Sequence, residues 1–383
     1  MALISSLKSQ ECHPIPRSAK LPILLLQPPT ETSTLNALTL PQASGAYVMG
    51  CNLKDLAPAK PIEISDLSGQ KVAVDVFLNA YQFITSMTGD DGKPLSYEGK
   101  PVSHLMGFLD RASILVSEGI DPVFVFDGRP HDLKRATLDD RKSRKVEAKA
   151  RWEEAVSAGD LSRAKKLGPQ TAEFTPEMVS ETKRLFDCMG LVWIEAPMEA
   201  EGAAAVMCRR GEVGAVASQD WDTLLYGAPV MIRNLTAHGT RKFGRMMQAE
   251  MISLEMMLEE LQITYDQLVD LGIMIGTDFH PGIKGIGPKT GLKLIKEHGS
   301  MESVSSFKGF DLPDNLDEIR SLFHSHPIAE DPIPQSRQAV EEDLIQFLQI
   351  ERGFSDSRMK RAFDRLSSVG KLRSKSRPTL FDF

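Results

Sequence analysis

The chain has 383 residues, enough for one large core with an appended unit or for two domains. Hydrophobic residues make up 42% and charged residues 25%, soluble averages that exclude a fibre or a largely disordered chain. A net charge of −7 counts against nucleic acid unless the acids are gathered at one metal site; no apolar run reaches the roughly 20 residues of a membrane span.

Residues 1–48 are rich in Ser, Thr, Pro and Leu and carry one short apolar run, Leu21 to Leu26, interrupted by Pro22. They read as a disordered extension or a start placed too far upstream, and Met49-Gly50 resembles a beginning. From Lys71 strand and helix candidates alternate: KVAVDVF, SHLMGFLDRASILVSEG, DPVFVFD, then a charged segment, SETKRLFDCMG, LVWIEA, EAEGAAAVMCRRG and GAVASQD. Strand then helix, repeated, predicts an α/β fold with a mostly parallel sheet flanked by helices. Gly119, Gly190 and Gly211 stand where helices should stop. PVMIRNL is expected as the last strand, with helices over Met251 to Leu261 and Tyr265 to Gly276. The four cysteines, Cys12, Cys51, Cys188 and Cys208, form no CxxC pair and have no zinc-spaced histidine, which points to a reduced intracellular compartment.

Seven carboxylates fall at strand ends or helix starts: Asp75, Asp127, Glu199, Glu201, Asp220, Asp222 and Asp278. Asp75, Asp127 and Asp220 close apolar runs, and the carboxyl ends of neighbouring parallel strands meet at the edge where such folds place active sites. Acids gathered there raise each other's pKa unless cations intervene. Oxygen donors in that number suit Mg²⁺ or Mn²⁺, and the pattern suggests a two-metal phosphodiesterase centre. Taken alone, Glu199 and Glu201 read better as acids at the positive end of a helix, and Asp220-x-Asp222 as a polar turn. Two acid-x-acid pairs at sheet edges in one chain are harder to dismiss.

Between Gly128 and Trp152 nine Lys or Arg face four acids, an excess of about five positive charges, a footprint suited to phosphate. Lys134, Arg141 and Lys145 share one helical stripe. A solvated helix laced with ion pairs stays open as the alternative. Further on, GTDFHPGIKGIGPKTGLKLI sets Gly282, Gly285, Gly287 and Gly291 ahead of a basic helix, a backbone-amide nest for phosphate or an ordinary turn.

From Met49 onward the chain resembles the structure-specific flap endonucleases of the 5′-nuclease superfamily, the archaeal members most of all. The resemblance is carried by VDVFLNAYQF, SHLMGFLDRASIL, VFVFDGRPHDLKRATLDDRK, APMEAEGAA, SQDWDTLLYGAP, IRNLT and the glycine-rich segment, in family order. It implies a PIN-like nuclease fold with a helical arch and a helix-two-turns-helix motif near residues 268–300. The implied organisation is an N-terminal nuclease region over 49–150 that includes the start of the arch, an internal region over 151–300, a C-terminal helical part over 301–373 and a tail over 374–383.

The resemblance assigns Asp75, Asp127, Glu199 and Glu201 to one metal ion and Asp220, Asp222 and Asp278 to a second. It implies two Mg²⁺ ions per subunit, replaceable by Mn²⁺. Lys134 and Arg141 match the arch-base cations that steer the scissile phosphate, and Tyr81 a tyrosine on which a base stacks, where the residue alone reads as core aromatic. Arg111 matches a template-strand phosphate contact, though by itself it reads as a surface cation. Glu199, Gly276, Asp278, Lys284, Gly285, Gly287 and Lys289 fall among the implied DNA contacts, while Thr88 stands where some relatives carry an arginine. At the C-terminus Leu380 and Phe383 match a sliding-clamp peptide whose glutamine position holds Arg377.

The implied protein is a monomeric enzyme without membrane contact, in the cytoplasm of an archaeal cell or a nucleus if eukaryotic. It removes 5′ flaps from branched DNA during replication and base excision repair, with 5′–3′ exonuclease activity beside it. The rivals are a related exonuclease or bubble-cutting nuclease, and a catalytically silent DNA or clamp adaptor.

Overall fold

The computed structural model describes residues 51–242 and 244–367. Residues 1–48 and the tail with Arg377, Leu380 and Phe383 lie outside the described residues. Seven strands form one sheet: β1 (Lys60–Ile62), β2 (Lys71–Asp75), β3 (Asp121–Phe126), β4 (Val192–Glu195), β5 (Ala215–Ala217), β6 (Val230–Arg233) and β7 (Ala249–Ser253). Their spatial order is β1-β7-β6-β5-β2-β3-β4. The five strands from β6 to β4 pair in parallel, and β7 and β1 close one edge antiparallel. From β2 the chain winds outward through β3 and β4, then returns to β5 on the other flank. The order of winding reverses between β2 and β5, and such a switch point opens a crevice at the carboxyl ends of the strands.

The central strands are buried on both faces because helices cover both. Val72 and Val74 of β2 face one core and Ala73 the other, as the two-residue strand period requires. One core is built on α1 (Val76–Ser86), α2 (Ser103–Ser117) and α5 (Pro176–Met189). There Phe186 stacks on Phe124 at 4.0 Å between ring centroids and meets Phe108 edge-on at 5.2 Å. The opposite core holds α6 (Ala200–Arg209), the short α7 (Asp222–Leu225), α9 (Tyr265–Ile275), α10 (Pro288–His298), α11 (Met301–Lys308) and α12 (Leu316–His324). Gly190 closes α5 in the left-handed region at φ 68°, where a side chain would be strained.

PVMIRNL is not the last strand. Residues 249–253, read from sequence partly as helix, pair with β6 in the register Met251↔Ile232, and the helix α8 begins only at Leu254. Ser253 caps it by accepting from the Met256 N–H at 3.3 Å. Edge pairing overrides the helical periodicity of MISLEMMLEEL because the β6 flank offers unpaired backbone groups. The three-residue β1, which carries too little pattern to stand out in sequence, pairs in turn with β7.

The charged segment forms a 3-10 turn (Asp132–Lys134) and the 23-residue α3 (Arg135–Ser157), followed by α4 (Leu161–Leu167). Only Ala148 and Ala155 of α3 are buried, so this helix stands on contacts other than an apolar face. No helix among the described residues is long and apolar enough to cross a membrane.

Phe186 is fully buried in the aromatic cluster. Phe186→Ala is expected to lower unfolding free energy by about 3–5 kcal/mol in urea titrations, and a loss under about 1 kcal/mol would show that the stack is not what couples α5 to the sheet.

Candidate active site

The acids are delivered to one place by the backbone. Asp75 ends β2 and caps α1, its Oδ1 accepting from the Leu78 N–H at 3.1 Å. Asp127 follows β3, and its Oδ1 accepts from the Ala200 N–H at 2.8 Å, tying that strand end to the start of α6. Glu199 is the N-cap of α6, with extended backbone at φ −72° and ψ 134°. That non-helical residue removes the divergence of about 200° that two residues on a regular helix would show, and Glu199 and Glu201 turn the same way. The ligand atoms of Asp127, Glu199 and Glu201 lie within 4.8 Å of one another.

The second acid-x-acid pair is folded on itself. Asp220 takes the Asp222 N–H at 3.0 Å, and Asp222 Oδ1 accepts from the Cys51 N–H at 3.0 Å. Asp278, just beyond α9, receives the 132–134 turn and the first turns of α3. Lys134 Nζ lies 3.0 Å from its Oδ2, Arg141 Nη2 donates to its Oδ1 at 2.8 Å, and the Thr137 hydroxyl donates to its backbone oxygen at 2.9 Å. Lys134 also donates to Glu199 Oε2, linking the two acid groups. Lys145, on the same stripe in sequence, lies instead 3.9 Å from Glu173.

Electrostatics bind the seven acids into one system. Burial, then the Asp127 carboxylate, pushes Asp75 up to about 7, and burial with the neighbouring Glu199 raises Asp127 to about 6. Glu201 and Asp222 are raised well above the carboxylate range, and Asp220 less far, in each case by burial first. Among their acidic neighbours are Asp75, Asp127 and Asp220 for Glu201, and Asp278 for Asp220 and Asp222. Burial works against the Lys134 ammonium, yet Glu199, Asp278 and Glu201 outweigh it and hold the lysine above its ordinary range. Glu199 Oε1 is buried with no hydrogen-bond partner. An orphaned carboxylate oxygen beside two more acids, all hard oxygen donors, fits a divalent cation.

The other sequence-derived residues lie on other elements, and of these Gly276 is buried. Tyr81 lies on α1, six residues beyond Asp75, with its ring partly exposed. Arg111 is half-buried on α2. Gly276 ends α9 at φ 121°, and a Cβ there would come within 3.0 Å of the Pro281 oxygen, so the turn admits little but glycine. Lys284, Gly285, Gly287 and Lys289 are exposed between α9 and the first turn of α10, with Lys289 3.8 Å from Asp55. Gly287 caps α10 without a side-chain partner, which leaves the first amides of that helix open.

Several supporting residues carry no sequence signal that would have found them. Asn79 donates to the Asp75 backbone oxygen at 2.6 Å and accepts from the Thr236 hydroxyl. Tyr226 is buried behind the acids, and Cys51 supplies only its backbone N–H to Asp222 while its thiol is pushed up by burial and by Asp222. Thr137 could have been suspected only from its place on the stripe between Lys134 and Arg141.

Raised carboxylate pKa values fix a sign. Between the ordinary value of 3.8 and about 7 for Asp75, the folded, ion-free protein holds a proton that the unfolded chain has lost, so this site costs stability as pH rises through that window. A divalent ion needs the ionised form and should stabilise most where the cost is greatest. The rise in melting temperature on adding Mg²⁺, relative to chelator, is therefore expected to be larger at pH 8 than at pH 5; equal rises would contradict a shared carboxylate centre.

The chain matches the model of the XPG N-terminal domain over residues 51–148 and that of the XPG I-region over residues 190–278. It is 41% identical over 334 residues to flap endonuclease 1 of Methanosarcina acetivorans, covering 86% of this chain and 98% of that protein. Among solved structures, flap endonuclease-1 from Methanococcus jannaschii superposes with a TM-score of 0.67 at 35% identity, over 84% of this chain and 99% of that one. The catalytic core of Rad2 in complex with DNA substrate shares the fold, with a TM-score of 0.66 at 23% identity over 83% of this chain and 99% of that one. Near-complete coverage of relatives at this identity, on a fold that gathers all seven acids, places the chain in the flap endonuclease family.

Proposed function

We propose that the carboxylate centre is where this structure-specific nuclease hydrolyses a phosphodiester bond of 5′-flapped DNA, with two Mg²⁺ ions held by the acids. Asp75, Asp127, Glu199 and Glu201 serve the first ion, and Asp220, Asp222 and Asp278 the second, with Mn²⁺ able to replace Mg²⁺. The observation that carries this reading is the convergence of Asp127, Glu199 and Glu201 beneath two arch cations that already grip Glu199 and Asp278. When bound, a pair of divalent ions supplies Lewis-acid activation of the attacking water and the leaving 3′ oxygen.

The chain's own residues do the rest. Lys134 is paired with Glu199 and Asp278, and Arg141 with Asp278. With those acids engaged by bound cations, the two side chains would be free to take the scissile phosphate and to offset charge on its oxygens. Tyr81, exposed on the helix that Asp75 caps, offers a ring for a base to stack on. The open amides of α10, with Gly276, Lys284, Gly285, Gly287 and Lys289, suit the phosphates of a duplex without reading its bases, and Arg111 suits the template strand. Binding then depends steeply on salt.

The reading extends to a monomer acting in replication and base excision repair in the cytoplasm of an archaeal cell. Its tail over 374–383 would engage a sliding clamp through Leu380 and Phe383.

Asp220→Ala and Asp222→Ala are expected to lower cleavage of a labelled 5′ flap by about a thousandfold or more in Mg²⁺, with flap-DNA affinity within a few-fold of the parent. Flap, bubble and blunt substrates compared side by side should rank the flap first. Undiminished cleavage by both variants would remove the centre from the reaction.

A further inference from the structure

The long α3 raises a mechanical problem. Its first turns are held by Lys134, Thr137 and Arg141 on Asp278, and by Lys134 on Glu199. Those partners are the acids that the proposed ions need, so this end loses much of its grip when the centre is loaded. The remaining support lies in the second half of the helix, where Ala148, half-buried Trp152 and Ala155 fall on one face and the helix packs against α4 and the 168–171 turn, with Arg163 donating to Glu154 at 3.0 Å. Something away from the acids must fix its direction.

Within that half, the contact that ties α3 to the nuclease sheet's own α1 loop is at Trp152, 18 residues from Lys134 and so about 27 Å along the helix at 1.5 Å per residue. The Trp152 indole N–H donates to the Asp91 backbone oxygen at 2.8 Å. The Lys93 ammonium lies 4.1 Å from the centre of the Trp152 ring and donates to the Thr171 hydroxyl, which donates to the Gly168 oxygen at 2.7 Å. Two glycines let the backbones close on this contact. A Cβ at Gly92, where φ is 78°, would stand 2.6 Å from the Lys165 oxygen, and one at Gly168 would stand 2.3 Å from the Gly92 carbonyl carbon. The loop holding Asp91 and Lys93 follows α1, the helix that Asp75 caps.

We propose that Trp152, docked on the 91–93 loop, is a positioning residue for the cleavage reaction. It holds α3 in place while Lys134 and Arg141 exchange their acid partners for the scissile phosphate. The contact is a backbone hydrogen bond and a cation over a ring, and neither partner belongs to the metal centre, so loading the centre leaves it intact. The inference rests on the phosphate-binding reading of Lys134 and Arg141 given above.

The test compares the parent with Trp152→Ala and Trp152→Phe. Cleavage is measured by single-turnover reaction of a labelled 5′ flap at saturating protein in Mg²⁺, and binding of the same DNA in Ca²⁺. Trp152→Ala should slow the single-turnover rate by about tenfold or more, as small misplacements at a reacting centre do, with binding changed less than about threefold. Trp152→Phe keeps a ring beneath Lys93 and should recover most of the rate. Lys134→Ala should cost much less in the Trp152→Ala background than alone, and trypsin should cut within α3 faster in Trp152→Ala than in the parent.

An unchanged rate in Trp152→Ala, full additivity with Lys134→Ala, or a rate loss matched by equal losses of binding and melting temperature would overturn the proposal. If the parent itself failed to cleave flaps, the functional reading would fall instead; unchanged trypsin cutting in Trp152→Ala would then still refute the docking contact.

Discussion

Mutual repulsion among seven buried or half-buried carboxylates is the constraint on which the rest of this structure depends. A chain does not gather Asp75, Asp127, Glu199, Glu201, Asp220, Asp222 and Asp278 at one sheet edge at no cost: burial first, and neighbouring carboxylates after it, raise the carboxyl pKa values of Asp75 and Asp127. Backbone donors meet part of it: Leu78, Ala200, Asp222 and Cys51 each give an N–H to one of the acids. Lys134 and Arg141 meet another part from above. What remains, including the orphaned Glu199 oxygen, is an affinity for cations. A capacity to hold a metal ion and the cations of α3 and the turn before it are thus two answers to one electrostatic problem.

Asp278 is where the two answers compete. It pairs with Lys134 and Arg141, and under the proposed function it is also a ligand of the ion beside Asp220 and Asp222. On that proposal, the hold of Asp278 on α3 depends on whether the centre is loaded. The Trp152 contact lies outside that competition, which is the physical basis for giving it a positioning role.

Much of the fold was legible because burial on both faces leaves a plain mark. KVAVD, PVFVF and GAVA are apolar runs too short for helices, each followed by helical material, and they became β2, β3 and β5 with acids at their ends. Gly190 announced the end of α5 because only the left-handed region closes that helix. The Met251 segment misled because its apolar spacing suits a helix, while the free edge of β6 decided for a strand. In the site, the strand-end acids could be placed from their own sequence context. The grouping of Glu199 with Glu201 came from family resemblance because two residues that close diverge by about 200° on a regular helix, and that of Asp278 with Asp220 and Asp222 because residues far apart in sequence carry no sign of meeting.

By itself the sequence determined the parallel α/β class, the edge at which Asp75, Asp127 and Asp220 gather, and the excess of positive charge that follows Asp127. These rest on local pattern, on the strand period and on charge, all of which survive without tertiary information. Tertiary structure alone decided that Glu199 sits at a non-helical cap and so converges with Glu201, and that Lys134 and Arg141 share Asp278. It also decided that Cys51 and Asn79 buttress the acids and that Trp152 docks on the loop after α1. Each is a contact between segments that only packing brings within hydrogen-bonding range, and their side chains have many other partners available in an unfolded chain.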